Sequence, residues 1–163
     1  MKHLLIIRHA KSSWDLKTLT DFDRSLNERG HQDAPAMAKR LLNQNVAIDL
    51  FVSSTANRAL TTAIYFAEAY KKSENDIVKV DALYHAMPDV FYKTIEVINN
   101  NIDSVAIFSH NPGITEFVNE LTSTKIDDMP TCGVFAIKVN SNSWVDFAKS
   151  KKEFWFFDYP KNL

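Results

Sequence analysis

The sequence alternates between short apolar runs and longer segments of helical periodicity over about its first 120 residues. A run of four to eight apolar residues suits a buried strand, whereas apolar residues that recur every three or four positions indicate an amphipathic helix. Strands are predicted at 3–7, 48–53, 77–80 and 103–108, and helices at 26–42, 56–71, 88–98 and 112–121. Alternation of this kind predicts an α/β fold, a three-layer α/β/α sandwich whose mostly parallel sheet has helices on both faces.

Two parts of the chain depart from this alternation. Pro35 lies inside the periodic segment 26–42, and an interior proline predicts either a helix that starts near residues 32–34 or a bend there. Beyond residue 130, three short segments at 133–139, 144–149 and 152–157 are predicted as strands, with 140–143 as a hairpin connection. These strands would add an antiparallel edge to the sheet.

The size and charge of the chain limit its class. With 163 residues and 45% hydrophobic residues, it fits a single domain over 1–163. Its 19 basic and 20 acidic side chains give a net charge of −1, without the basic excess of a nucleic-acid-binding protein. One cysteine, Cys132, excludes an internal disulfide and a Cys-rich zinc site. Neither a membrane-length apolar run nor a signal peptide is evident, so we expect a soluble, cytoplasmic protein without membrane partners.

Cationic and imidazole side chains follow three of the predicted strands. Arg8 and His9 follow the first strand, Arg58 lies shortly after the second, and His110 follows the strand at 103–108. Ligands of open parallel sheets bind beyond the carboxyl ends of the strands, so these four side chains converge on one cleft if the three strands are neighbours. Guanidinium groups and helix N-termini match the oxygens of a phosphoryl group. The pattern therefore predicts a phosphoryl-binding site.

Other site types fit the same turns less well. Lys11 and Ser12 are further candidates for contact with phosphate, while the absence of carboxylates in these turns disfavours a hard-cation site. A zinc site built from His9, His85 and His110 is conceivable, but the flanking arginines would repel the ion. The sequence also lacks a glycine-rich P-loop, which disfavours nucleotide hydrolysis by that route.

Four sequence blocks resemble the histidine phosphatase superfamily, and they occur in the order typical of that family. The blocks are LIIRHA at 5–10, LNERG at 26–30, VSSTANRALTTA at 52–63 and FSHNP at 108–112. The first resembles the family's Arg-His-Gly signature, and the third its Ser-x-x-x-Arg-Ala-x-x-Thr-Ala pattern. The short length, with KSSW at 11–14 and DFDR at 21–24, resembles the minimal, SixA-like branch of phosphohistidine phosphatases.

The resemblance implies a phosphoglycerate mutase-like fold and a covalent mechanism that needs no metal or organic cofactor. His9 would attack phosphorus as a neutral imidazole and form a phosphohistidine intermediate, which water then hydrolyses. Arg8, Arg58 and His110 would hold the phosphoryl oxygens and stabilise the transition state. The expected substrate is a phosphorylated protein that carries phosphohistidine, or a small phosphorylated molecule.

Two positions depart from the family pattern. Ala10 replaces the glycine of the signature, and His85 stands where the family commonly has a glutamate as general acid. A histidine can act as an acid, and Asp89 lies close by in sequence. A phosphoramidate, whose imidazole leaving group is easily expelled once protonated, depends less on such an acid than a phosphate ester does. The departure at His85 therefore favours phosphohistidine as substrate.

Two alternatives remain at the level of sequence. Without the usual acid, the chain could be a phosphate-binding module of the same fold with weak or no turnover. A phosphoglycerate mutase is disfavoured, because mutases of this fold generally carry inserted segments for which 163 residues leave no room.

Overall fold

A computed structural model describes residues 1–14 and 20–163 of the chain, and in this part six strands form one sheet. The strands are β1 (Lys2–Arg8), β2 (Leu50–Ser53), β3 (Ile77–Lys79), β4 (Ser104–Ser109), β5 (Val134–Asn140) and β6 (Lys151–Asp158). The α-helices are α1 (Glu28–Asn43), α2 (Asn57–Ala69), α3 (Pro88–Glu96) and α4 (Gly113–Leu121). Over the described residues, none of the helices has both the length and the apolar character needed to cross a membrane.

The sheet has the strand order β3-β2-β4-β1-β5-β6. The first four of these strands are parallel, β5 pairs antiparallel to β1, and β6 pairs antiparallel to β5. The prediction of a mostly parallel sheet with antiparallel C-terminal strands is therefore confirmed. Because β1, β2 and β4 run in the same direction, their carboxyl ends meet at one edge, where Arg8 pairs with Ser109 in the ladder.

Alternate side chains of β1 enter two separate cores. Leu5 and Ile7 pack in a cluster with α1 and α2, whereas Leu4 and Ile6 pack in a cluster with α3 and α4. All four of these side chains are fully buried. A strand covered on both faces needs apolar residues at every position, which explains the continuous apolar run near the N-terminus.

Helix α1 begins at Glu28, so the predicted late start near residues 32–34 is wrong. Asn27 caps the helix by accepting a hydrogen bond from the Gly30 N–H at 2.9 Å. The helix then continues through Pro35, which removes one backbone donor but leaves the buried stripe intact. That stripe packs against the sheet and consists of Ala34, Met37, Ala38 and Leu41.

The segment predicted as a strand at 144–149 is instead a 3₁₀ helix, Trp144–Lys149. Trp144 and Phe147 are both fully buried, and residues three apart share one face of a 3₁₀ helix but lie on opposite faces of a strand. The connection between β5 and β6 consequently spans 141–150, and the predicted hairpin at 140–143 is wrong.

Candidate active site

A cleft of about 190 Å³ lies at the carboxyl edge of the sheet. Its lining contains six of the seven side chains predicted as site residues, together with four others. The lining residues are Arg8, His9, Lys11, Ser12, Trp14, Arg24, Arg58, His110, Asn111 and Thr131. The seventh, His85, is outside this lining.

The sheet brings the two histidines together. His9 directly follows β1 and His110 directly follows β4, and the two strands are neighbours in the sheet. The backbone N–H of His9 donates to the Ser109 carbonyl at 3.2 Å, which extends the pairing of β1 and β4 by one residue. As a result, the two imidazole ring centroids lie 5.2 Å apart. Arg58 reaches the same place from the first turn of α2.

His9 is held as a neutral imidazole with one defined tautomer. Its Nδ1 lies 2.8 Å from the Ala10 carbonyl oxygen, and because a carbonyl only accepts, Nδ1 carries the proton. The Arg58 Nε–H points at His9 Nε2 from 3.4 Å, which leaves the lone pair on that nitrogen. Burial, followed by the charges of Arg8, Arg58 and Arg24, lowers the His9 pKa to about 3, against the hydrogen bond to Ala10, which raises it.

His110 is also buried and neutral. Its Nε2 lies 2.8 Å from the Ser54 hydroxyl, whose oxygen accepts from the Ala56 N–H at 3.2 Å. The Ser54 O–H can then donate to Nε2, which places the proton of the neutral ring on Nδ1. Burial is the main reason that the His110 pKa falls to about 2, with smaller effects from His9 and Arg58.

Two polar atoms of the cleft residues are buried without a hydrogen-bond partner among the described residues. They are Nε of Arg8 and Nδ1 of His110. The Arg8 side chain is anchored through Nη1, which donates to the Met129 carbonyl at 2.8 Å. Buried donors of this kind are costly unless they bind an acceptor, so their positions fit an oxyanion.

Asp21 and Tyr84 organise the cations of the cleft, and neither was predicted as a site residue. One carboxylate oxygen of Asp21 accepts from Arg58 Nη2 at 3.1 Å and from the Tyr84 hydroxyl at 2.6 Å. The other accepts from Arg24 Nη1 at 2.9 Å. The Tyr84 hydrogen bond, followed by those of the two arginines, holds the Asp21 pKa well below its usual range, against burial, which raises it. Asp21 therefore keeps two guanidinium groups in place as an anion.

Arg24 is a third guanidinium in the cleft lining, and it was also missed. It is 7% exposed, its Nε donates to the Ser13 carbonyl at 3.1 Å, and its Nη2 donates to the Ser12 hydroxyl. The KSSW and DFDR segments, which carried part of the family resemblance, contain both partners of this contact, Ser12 and Arg24. Asn111 lies inside the FSHNP block but was not predicted as a site residue, and Thr131 belongs to none of the sequence blocks.

Contacts from α1 and α2 fix the loop after β1. The Ala10 N–H donates to Thr62 Oγ1 at 2.9 Å, and the Thr62 hydroxyl donates to the Arg58 carbonyl at 2.8 Å. A Cβ on Gly30 would come within 2.1 Å of the Lys11 carbonyl oxygen, so the first turn of α1 can approach this loop only with glycine there. Ala10 itself is fully buried, and its methyl group is accommodated.

His85 lies beside the cleft rather than in its wall. It is exposed, follows the 3₁₀ segment Asp81–Leu83, and has a φ of 60°. Its ring packs on Tyr84 with a centroid separation of 3.8 Å. Asp89, in the first turn of α3, is exposed and also outside the lining. Within 1–14 and 20–163, no group of three or more His, Cys, Asp or Glu side chains could hold a metal ion.

Comparison with known proteins assigns the family. Residues 4–84 match the model of the histidine phosphatase superfamily, branch 1. The chain belongs to this superfamily, and membership supports phosphatase activity. An uncharacterized chloroplastic protein of Arabidopsis thaliana is 28% identical over 94% of this chain and 74% of its own length. A 2,3-bisphosphoglycerate-dependent phosphoglycerate mutase of Bartonella tribocorum is 38% identical, but over only 49% of this chain and 40% of the mutase.

Solved structures show the same fold. A proposed phosphohistidine phosphatase SixA from Agrobacterium tumefaciens superimposes with a TM-score of 0.82 and 24% identity, covering 98% of both chains. The protein histidine phosphatase SixA complexed with tungstate gives a TM-score of 0.81 and 20% identity, again over 98% of both chains. These similarities confirm the predicted phosphoglycerate mutase-like, SixA-like fold.

Proposed function

We propose that this protein is a metal-independent phosphatase that takes the phosphoryl group of phosphohistidine onto His9 and releases it to water. The observation that carries the proposal is the state of His9. Its imidazole is neutral, its Nδ1–H is bound to the Ala10 carbonyl, and its Nε2 lone pair lies in a cleft with three guanidinium groups. The proposed partner is a cytoplasmic protein that carries phosphohistidine.

In the first step, His9 Nε2 forms a bond to phosphorus while the bond from phosphorus to the substrate imidazole breaks. The leaving nitrogen keeps the electron pair of that bond, and a ring protonated on its other nitrogen departs as neutral imidazole. Arg8 Nε, Arg58 Nε and His110 Nδ1 would donate to the phosphoryl oxygens as their charge redistributes. The hydrogen bond from Nδ1 of His9 to Ala10 supports the positive charge that develops on the attacking ring.

In the second step, water attacks the phosphorus of phosphorylated His9. The bond between the water oxygen and phosphorus forms while the bond from phosphorus to Nε2 breaks. Nε2 keeps the electron pair of that bond, so His9 returns to the neutral imidazole, and phosphate leaves with both protons of the water. The three donors of the first step serve again, because charge develops on the same phosphoryl oxygens. No metal ion takes part in the proposed steps.

The position of His85 supports a nitrogen leaving group. His85 and Asp89 both lie outside the cleft lining, so neither is well placed to protonate a leaving group in the cleft. An ester would leave as an alkoxide and would need that acid, whereas a protonated imidazole needs no further proton. We therefore favour phosphohistidine over a sugar phosphate or phosphoserine.

The location of His85 and Asp89 outside the cleft lining also favours a second candidate function. If the cleft has no general acid beyond the described residues 1–14 and 20–163, it suits a phosphate-binding module that forms no phosphoenzyme. Mutase activity has less support, because the match to the mutase covers less than half of that protein.

A substrate panel tests the proposal. We expect hydrolysis of a phosphohistidine peptide to exceed that of a phosphoserine peptide and of sugar phosphates, and we expect His9→Ala to abolish it. His31→Ala is the matched control, since His31 is exposed on α1 and bonds only to the Tyr65 hydroxyl at 2.8 Å among the hydrogen bonds resolved for its ring.

Two results would contradict the proposal. Faster hydrolysis of sugar phosphates would reject the substrate class. Phosphate binding without turnover of any substrate, including an aryl phosphate with a good leaving group, would favour the binding module instead.

A further inference from the structure

Trp14 is an exposed indole in the wall of the candidate active site. It is 77% exposed and nevertheless lines the cleft together with Lys11 and Ser12. Single exposed apolar side chains are common on protein surfaces, so exposure alone indicates nothing. The feature that distinguishes this indole is its contact with Arg24.

Arg24 fixes the indole in place. The Arg24 guanidinium lies 3.6 Å from the centroid of the Trp14 ring, a stacked cation–π contact. The guanidinium is itself immobilised by hydrogen bonds to the Ser13 carbonyl, the Ser12 hydroxyl and the Asp21 carboxylate. A rigid, buried cation thus holds one side of an aromatic ring whose surface is otherwise largely open.

The cleft therefore has two chemically different parts. The lining contributes polar and cationic groups at Arg8, Arg58 and His110, and Trp14 is the aromatic side chain among its described residues. A volume of about 190 Å³ corresponds to about six water molecules of liquid, enough for a phosphoryl group and a small part of what it is attached to. The aromatic part is suited to a small planar ring.

We propose that Trp14 forms the leaving-group subsite and packs against the imidazole ring of the phosphohistidine substrate. This inference rests on the proposed function and narrows it to substrates whose phosphorus is bonded directly to a planar ring. Offset or edge contacts between aromatic rings stabilise a complex beyond the area they bury. The contact would orient the ring before the phosphorus–nitrogen bond breaks.

Two substrates with the same phosphorus–nitrogen bond test this subsite. A phosphohistidine peptide has an imidazole leaving group, whereas phosphoramidate loses ammonia and has no ring. We expect Trp14→Ala to lower kcat/KM for the peptide about three- to tenfold more than for phosphoramidate, the range that corresponds to one aromatic contact. Trp14→Phe keeps an aromatic ring, so it should recover most of the kcat/KM for the peptide that Trp14→Ala loses.

Phe154→Ala is the matched control, because Phe154 is an exposed aromatic side chain on β6 outside the cleft lining. It should leave the ratio of the two kcat/KM values as in the wild type. If Trp14→Ala does not fold, Trp14→Leu, which keeps an apolar side chain over Arg24, carries the same expectation.

The outcomes separate this inference from the proposed function. Hydrolysis of both substrates by the wild type, with equal losses in Trp14→Ala, would overturn the subsite and leave the phosphatase proposal standing. Hydrolysis of neither substrate by the wild type would overturn both.

A binding measurement gives an independent readout. In the His9→Ala background, a bound phosphohistidine peptide should change the fluorescence of Trp14, and Trp14→Phe in that background should remove the change. Trp144 is fully buried and would not report on the cleft. A change that persists in Trp14→Phe would contradict the subsite.

Discussion

Arg58 connects His9 and Asp21, the two residues on which the site depends. Its Nε faces His9 Nε2, while Nη1 donates to the Asp21 carbonyl at 2.7 Å and Nη2 to its carboxylate. A cation in the first turn of a helix is unfavourable to the helix dipole, and Asp21 compensates for that cost. Arg58 is therefore positioned both to keep His9 neutral and to bind the oxygens of a phosphoryl group.

Replacing Arg58 should affect catalysis strongly. We expect Arg58→Ala to lower kcat/KM about 10²- to 10³-fold, because it removes a donor beside the attacking nitrogen. Turnover of an aryl phosphate measures the effect. Arg29→Ala is the control, since Arg29 is an exposed arginine on α1 that pairs with Asp33 at 3.3 Å. A rate within about threefold of the wild type for Arg58→Ala would show that the arginine does not act on the reacting group.

The site residues at or shortly after the strand ends were predictable, and those in or beside the 3₁₀ segments were not. Arg8, His9 and His110 each come at the end of an apolar run, so a parallel sheet in which their strands are neighbours brings them close together. Asp21 and Tyr84 lie in or beside 3₁₀ segments that carry no periodic pattern. Only the folded chain shows that a carboxylate from one such segment meets a hydroxyl from another.

Helix α2 holds the first loop of the site through one side chain. Thr62 accepts from the Ala10 N–H and donates to the Arg58 carbonyl, so it links the residue after His9 to the start of α2. The hydroxyl is fully buried and one turn away from Arg58. The spacing between the arginine and the threonine in the third sequence block thus has a structural cause.

Removing this hydroxyl should loosen the loop. We expect Thr62→Val to lower the free energy of unfolding by about 1–3 kcal/mol, because the Ala10 N–H stays buried without a partner. A urea titration measures the change, and turnover should fall with it. Thr61→Val, at a half-exposed neighbour whose hydroxyl bonds to Asn57, should have a much smaller effect. Equal stability of Thr62→Val and Thr61→Val would refute the role of Thr62.

Apolar patterns predicted the four helices and the parallel strands, and they failed at the segment 144–149. Helices α2 and α4 have apolar stripes over two or more turns, which a pattern of 3.6 residues identifies. The segment 144–149 is too short to distinguish a period of two from a period of three. Pro35 argued for a late helix start, but the buried stripe of α1 and the cap at Asn27 outweighed the loss of one backbone hydrogen bond.

The whole molecule concentrates buried imidazoles and cations at one edge of its sheet. The pKa values of His9 and His110 lie at about 3 and about 2, well below the usual 6.5 of histidine. Below pH 6.5 the unfolded chain therefore binds protons at these two residues that the folded chain does not bind. Stability must fall as the pH decreases from 6.5, and these groups contribute no pH dependence above it.

This linkage predicts a measurable loss of stability in mild acid. Between pH 6.5 and 5, each of the two histidines should lower the free energy of unfolding by up to about 1.4 kcal/mol per pH unit. Urea titrations at pH 7 and 5 in phosphate-free buffer measure the difference, which should shrink in His110→Ala. A stability that does not change over this window would mean that the two imidazoles are not held neutral by burial.

The central claim is that His9 itself becomes phosphorylated. The most direct measurement is rapid quenching of the enzyme with a ³²P-labelled phosphohistidine peptide or aryl phosphate, followed by peptide mapping under basic conditions that preserve phosphohistidine. We expect label on the peptide that contains His9 in the wild type and none in folded His9→Ala. Turnover without label on this peptide, or undiminished turnover in His9→Ala, would contradict the mechanism.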